Sequence, residues 1–357
     1  MRKNVNKLIT IIIFILILIV PNVSYIFLKD KFPNVNTENR KLASKPELDN
    51  SNIMTYFSSY SAYYNDNLPY RTFIKSKYSK ANYYLFNYLG NNCLSGKDGW
   101  IFYINSDDGN PVAIVQGKGI YSKEQMEKAK QKINSDVSIA KDKGIDLYYL
   151  VIPNKENIYR DKLPDSIKIY DNKSNREKLI EYINNSKLIY LKDKLLAEKN
   201  QFQLYMKQDT HWNEIGAFFG YQSLISSIKN DNSIHYESIT KEFSINTGDM
   251  IGLSGVYNVF SDYKYTINYD NNYEIKKGCK GICVYENKNA KYQETIMIVG
   301  DSYRTAMIQY LSADFKTVIH LHRNDYKKKL IDEYKPNIII SEYVERYFNP
   351  NFPQLFH

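Results

Sequence analysis

Between residues 147 and 340 the chain passes repeatedly from a short run of continuous apolar residues to a longer amphipathic segment, and this alternation restricts the fold more than any other feature. Apolar runs predict strands at 147–152, 188–191, 295–299, 317–321 and 337–340. Amphipathic periodicity predicts helices at 122–143, 174–184, 213–228, 303–311 and 325–334. A strand that is apolar at every position needs cover on both faces, so the pattern predicts an α/β fold with a doubly wound, mostly parallel sheet. Ligand sites in such sheets lie beyond the carboxyl ends of the strands. A Tyr-rich and Asn-rich stretch from about 231 to 291 interrupts the alternation and reads as an insertion of hairpins.

The N-terminus limits where the chain resides. Arg2, Lys3 and Lys7 precede an apolar run over 8–28, about the 20 residues a bilayer-spanning helix needs. Tyr25 and Phe27 make a poor cleavage site, which favours a retained signal anchor over a cleaved signal peptide. The early basic residues place the N-terminus inside and the rest of the chain on the extracytoplasmic side. A polar stem follows, with helices expected at 53–64 and 70–88, so the expected organisation is an anchor at 1–28, stem and helices at 29–95, and a main domain at 96–357.

With 357 residues the chain can bury a sizeable core. Its net charge of +9 comes from lysines scattered among Asn and Tyr, without the dense basic stripe that nucleic-acid binding requires. Such a surface suits an anionic membrane or cell wall. Cys279 and Cys283 are close enough to pair across a loop, leaving Cys93 alone; three free thiols are the alternative.

Two short motifs carry the chemistry. Gly300-Asp301-Ser302 follows an expected strand and precedes an expected helix, where a serine hydroxyl is lifted above the sheet edge near free helix N–H groups. Helix capping by Asp301 or Ser302 explains the same residues without catalysis. Asp209-Thr210-His211-Trp212 precedes another helix, and in an extended segment Asp209 and His211 would project to one side while Thr210 faces solvent. Taken alone, the latter motif also describes a bland surface histidine. Together they supply a nucleophile, a base and a carboxylate to orient the base. Trp212, Tyr303 and Arg304 are candidate substrate contacts. His320 and His322, two apart near a strand end, are the rival as metal ligands, although no third ligand completes a known pattern.

The order of several short pieces gives the chain a resemblance. Glu38-Asn39-Arg40, Leu68-Pro69-Tyr70-Arg71, Gly96-Lys97-Asp98-Gly99-Trp100-Ile101-Phe102, Pro153-Asn154-Lys155, Asp209-Thr210-His211-Trp212, Gly248-Asp249, Gly300-Asp301-Ser302 and Glu345-Arg346-Tyr347 occur in sequence. In this the chain resembles the SGNH-hydrolase-like, membrane-anchored O-acetyltransferases of the DHHW and AlgX/AlgJ type. Asp-x-His before the serine matches the permuted order of that family, while Thr210 stands where its name has a second histidine. The resemblance implies an SGNH-like fold, a triad of Ser302, His211 and Asp209, and acetyl transfer to an exported or cell-wall polysaccharide. It also implies a multipass membrane acyltransferase as donor partner and no bound cofactor. Asn154 is the candidate by position for an oxyanion donor. An acetyl esterase with the same triad, and a non-catalytic glycan-binding subunit, stay open.

Overall fold

The computed structural model describes residues 2–36, 41–48, 53–245, 247–269 and 272–356. Glu38-Asn39-Arg40 falls outside them, as does the side chain of Cys279 and with it the pairing expected with Cys283. Cys93 is a buried free thiol. The chain forms two compact units, one from residues 2–90 and Ile251–Val259, the other from Asn91–Met250 and 260–356.

The smaller unit holds helices Arg2–Leu28, Ile53–Asp66 and Arg71–Phe86. Within the first, Val5–Leu28 has a mean hydropathy of 2.8 and is long and apolar enough to cross a membrane, which makes it a candidate anchor. Tyr70 packs edge-on against Tyr25 at 5.1 Å and donates its hydroxyl to Ser24 at 2.8 Å, tying the third helix to the end of the first.

In the larger unit the strands are β1 (Cys93–Ser95), β2 (Ile101–Tyr103), β3 (Asp146–Ile152), β4 (Leu188–Tyr190), β5 (Ser238–Ile245) and β6 (Ser261–Asn268). They continue with β7 (Glu274–Lys280), β8 (Ile282–Glu286), β9 (Tyr292–Gly300), β10 (Phe315–His322) and β11 (Ile338–Val344). The main sheet runs β4-β3-β11-β9-β10-β8-β7, parallel from β4 to β10 and antiparallel at β8 and β7. This is the expected α/β sheet. The stretch expected as an insertion divides in two: β5 and β6 make a separate antiparallel ribbon, whereas β7 and β8 extend the main sheet.

Side chains alternate between two cores. Leu150 and Ile152 of β3, Ile296 and Ile298 of β9 and Ile340 of β11 face one, covered by Phe218, Tyr221 and Ile225 of helix Glu214–Lys229. Tyr149 and Val151, Met297 and Val299, and Ile339 face the other, covered by Ala129, Ile133 and Ala140 of helix Lys123–Asp142 and Leu179 and Ile183 of helix Asn175–Ile183. Each buried Ile, Leu or Phe contributes roughly 1.5–3 kcal/mol, which is why both faces had to be apolar. Ser122 and Ser174 open their helices with full capping boxes, closed by Gln125 and Glu177.

Three segments differ from expectation. Strand β11 runs on through Ser341 and Glu342, polar residues that are completely buried and so broke the apolar run. The helix expected at 325–334 is the shorter Lys329–Tyr334, after a 3-10 turn at Arg323–Asp325. The helix expected at 303–311 is a 3-10 turn, Ser302–Met307, followed by helix Ile308–Asp314. Two side chains hold that turn tight: Asp301 accepts the Tyr303 N–H, and the Tyr303 carbonyl accepts the Trp212 indole N–H.

Candidate active site

Strand β9 ends at Gly300, and the chain turns through Asp301 into the 3-10 turn. Asp301 takes the capping role. Its Oδ1 accepts the Tyr303 N–H at 3.0 Å and its Oδ2 accepts the Val344 N–H of β11 at 2.8 Å. Ser302 is thereby released from capping, and it is exposed at the carboxyl edge of the sheet. The Asp301 N–H donates to Glu342 Oε2 at 2.8 Å, and a Cβ added at Gly300 would stand 1.9 Å from that oxygen. Only glycine permits so close an approach. Burial, and then the Asp301 charge, push the Glu342 carboxyl well above its ordinary range.

The structure brings Ser302, His211 and Asp209 together. His211 Nε2 lies 2.6 Å from Ser302 Oγ, and His211 Nδ1 lies 2.6 Å from Asp209 Oδ1. With the Nδ1 proton directed at the carboxylate, Nε2 accepts from the serine hydroxyl. The convergence arises differently from expectation, since residues 209–211 form a bend and not an extended segment. Asp209 Oδ1 also accepts the His211 backbone N–H at 2.9 Å, which folds the carboxylate back onto its own neighbour. Thr210 is likewise corrected. It is buried, not solvent-facing, and its hydroxyl donates to Asp249 at 2.6 Å.

Asp209 and His211 shift each other's titration in opposite directions. Burial alone would lower the His211 pKa, but the hydrogen bond and charge of Asp209, with the charge of Asp249, outweigh it and raise the imidazole above its ordinary value. For Asp209, burial pushes upward, and the bonds and charge of His211 carry the net shift downward.

Trp212, Tyr303 and Arg304, the candidate substrate contacts, are 2%, 1% and 8% exposed, and of the three Trp212 lines a cavity, together with Met206, Asn213, Tyr263 and Tyr265. Their hydrogen bonds are internal. The Trp212 indole donates to the Tyr303 carbonyl at 3.0 Å, the Tyr303 hydroxyl donates to the Thr210 carbonyl, and the Arg304 guanidinium donates to the carbonyls of Gly300 and Asp301. The indole fits because Gly216 and Gly220 leave room for it: a Cβ at Gly220 would come within 2.7 Å of the ring.

Asn154 follows β3, two strands away from β9. Its N–H donates to Glu345 at 2.9 Å and its Oδ1 accepts the Arg346 N–H at 3.3 Å. Its Nδ2 is buried without a partner among the described residues, so one amide donor stays in reserve. His320 is buried and stacked on Tyr285 at 5.6 Å, and desolvation, helped by Arg304, lowers its pKa to about 4. His322 caps the following turn through Nδ1. Among the described residues the cluster of three or more metal-capable side chains is Asp209, His211 and Asp249, which neither His320 nor His322 joins.

Two residues quoted only as pieces of motifs prove central to the geometry. Lys155 is completely buried, and its ammonium donates to the carbonyls of Ile101 at 2.6 Å, Asp209 at 2.6 Å, Lys207 at 3.2 Å and Met206 at 3.4 Å. Burial draws its pKa down to about 8, against the pull of Glu156, Asp249 and Asp209. Asp249 donates its N–H to Asp209 Oδ2 at 2.9 Å and accepts from Thr210. A lysine three residues past the end of a buried apolar strand was the available signal for the first. No local signal marked the second, which lies 40 residues from Asp209.

Residues 93–324 match the family described as SGNH hydrolase-like domain, acetyltransferase AlgX. Among solved structures the fold is similar to PatB1 of Bacillus cereus, at 18% identity and a TM-score of 0.51, covering 74% of this chain and 98% of that one. It is similar to PatB1 with a sulfonyl adduct, at 18% identity and a TM-score of 0.53, covering 73% and 98%. A DHHW family protein from Eubacterium siraeum aligns at 14% identity and a TM-score of 0.50, covering 71% and 94%. No curated protein matches the sequence. At these identities the structural likeness carries the fold alone.

Proposed function

The chain belongs to the family of AlgX-type, SGNH hydrolase-like acetyltransferase domains, and on that premise we propose that it is a membrane-anchored, extracytoplasmic O-acetyltransferase acting through Ser302 on the hydroxyls of an exported or cell-wall polysaccharide. The observation that carries this reading is the unbroken contact from Asp209 through His211 to the exposed Ser302 hydroxyl, with 2.6 Å at each step.

His211 Nε2 takes the proton of Ser302 as Oγ attacks the acetyl carbonyl of the donor. The tetrahedral intermediate collapses as that proton passes from His211 to the leaving group, which departs and leaves acetyl-Ser302. A sugar hydroxyl then gives its proton to His211 and attacks the acetyl-serine. The new ester forms as the proton returns to Ser302 Oγ. Asp209 stabilises the imidazolium in both halves. The Asn154 amide is the proposed oxyanion donor, supported by its unpartnered buried Nδ2. Helix Arg2–Leu28 confines the site to the membrane surface, where a multipass acyltransferase would present the donor.

The test uses the full chain in detergent with p-nitrophenyl acetate, with and without oligosaccharide. Acetylated sugar is expected, together with an acetyl-Ser302 adduct in mass spectra. Acetate release unchanged by sugar, with no acetylated sugar formed, would establish an esterase instead. Full activity of Ser302→Ala would remove the serine mechanism.

A further inference from the structure

The Nδ1 side of His211 faces two carboxylates, of which the mechanism uses one. Asp209 Oδ1 lies at 2.6 Å and Asp249 Oδ2 at 3.9 Å. Asp249 belongs to a distant stretch of chain laced onto the Asp209 bend by four bonds. Its N–H donates to Asp209 Oδ2 at 2.9 Å, and the Met250 N–H donates to the Gln208 carbonyl at 3.2 Å. In return the Thr210 N–H and hydroxyl donate to Asp249 Oδ1 at 3.0 Å and Oδ2 at 2.6 Å. Gly248 makes this approach possible. Its φ is +106°, and a Cβ there would fall 2.1 Å from the Gln208 carbonyl oxygen. The Thr210 hydroxyl also lies 3.3 Å from His211 Nδ1, bridging the second carboxylate to the ring.

We infer that Asp249 is a positioning residue of the acid–base pair: its backbone N–H holds the Asp209 carboxylate, and its own carboxylate, fixed by Thr210, adds a second negative charge beside His211, making the imidazole a stronger base toward Ser302. This rests on the triad reading above. A purely structural tie would need only hydrogen-bonding groups, whereas Asp249 brings a carboxylate that is still 35% exposed to within 4 Å of a ring that becomes cationic during the reaction. The surroundings leave that charge effective. The groups facing His211 are Asp209, Asp249, the Tyr303 ring at 4.7 Å and Arg346, which opposes the carboxylates. Those facing Asp249 are Asp209, His211, Thr210 and Lys155, with the Cys93 thiol nearby. Burial, and next the neighbouring Asp209 charge, raise the Asp249 carboxyl above its ordinary value, while Thr210, His211 and Lys155 pull it back.

The experiment is the pH profile of p-nitrophenyl acetate turnover by the full chain carrying Asp249→Asn, an isosteric change that keeps one acceptor oxygen for the Thr210 N–H, replaces the other with an NH2 to which the Thr210 hydroxyl can turn as acceptor, and removes the charge. The acid limb of kcat/KM is expected to move down by about half to one pH unit, the effect of one charge near 4 Å in a partly solvated site. Plateau kcat should fall several-fold with KM unchanged and the melting temperature near that of the parent. A profile and kcat that superimpose on the parent would overturn the inference. If Asp249→Asn fails to fold, Thr210→Val, which keeps the charge and the three backbone N–H bonds but removes the hydroxyl that bridges Asp249 Oδ2 to the ring, carries the test: reduced kcat at constant KM supports the inference and parental kcat overturns it. Ser302→Ala is the control. Activity retained there removes the triad itself, whereas a dead Ser302→Ala beside a parental Asp249→Asn removes only the role given to Asp249.

Discussion

The indole N–H of Trp212 donates to the carbonyl of Tyr303 at 3.0 Å, and the Tyr303 hydroxyl returns a bond to the carbonyl of Thr210. Trp212 follows His211, Tyr303 follows Ser302 and Thr210 precedes His211, so this reciprocal clasp fixes the distance between His211 and Ser302. Trp212→Phe keeps most of the ring volume and removes the donor. It is expected to cost about 1–3 kcal/mol of stability through the unsatisfied buried carbonyl. Turnover of an acetyl ester should drop by at least roughly tenfold as the pair loses its spacing. Thermal melts and steady-state kinetics on the same preparation check both.

Lys155 holds the underside of the acid-bearing bend. Lys155→Met would take the ammonium away from four backbone carbonyls, that of Lys207 keeping the Ile101 N–H at 2.9 Å, and the expected loss of stability is on the order of 3–5 kcal/mol. Lys155→Arg should not rescue it, because the site is fully enclosed and the planar fork cannot reach the same carbonyls. Chemical denaturation of both variants reads the difference.

His211 predicts opposite pH trends for stability and for activity. Its folded pKa is raised above the unfolded value by Asp209 and Asp249, so the stabilisation from the ion pair is fully present below the unfolded pKa near 6.5 and is lost as pH rises through the folded pKa. The melting temperature of His211→Gln should therefore fall furthest below that of the parent at acid pH, with the gap narrowing at pH 8.5. Activity needs the neutral base and should rise over the same window.

Gly300→Ala places a methyl group into Glu342 at a turn that cannot move without displacing Ser302. A loss of roughly 3 kcal/mol or more is expected. Soluble yield and labelling of Ser302 by a sulfonyl fluoride should fall together. Parental labelling would show that the turn tolerates the collision.

The sequence alone determined the alternation that builds the sheet, because a strand covered on both faces must be apolar throughout, as at 147–152 and 295–299. It also determined the residue types at the strand ends, and the capping boxes at Ser122 and Ser174, which act within one turn of helix. Strand β11 was only half legible because its buried Glu342 serves the turn that carries Ser302 and not the core. The site itself was decided by contacts between segments distant in sequence. Nothing in Gly300-Asp301-Ser302 says which residue caps the turn. Asp301 does so because β11 offers it the Val344 N–H, and only then is Ser302 free for His211. Trp212, Tyr303 and Arg304 flank His211 and Ser302 in sequence, and the fold buries most of each side chain so that their hydrogen bonds hold the two motifs together. Asp249 and Lys155 act through charge and hydrogen bonds that cross from one loop to another. Those interactions depend on distance and burial, which a linear sequence does not carry.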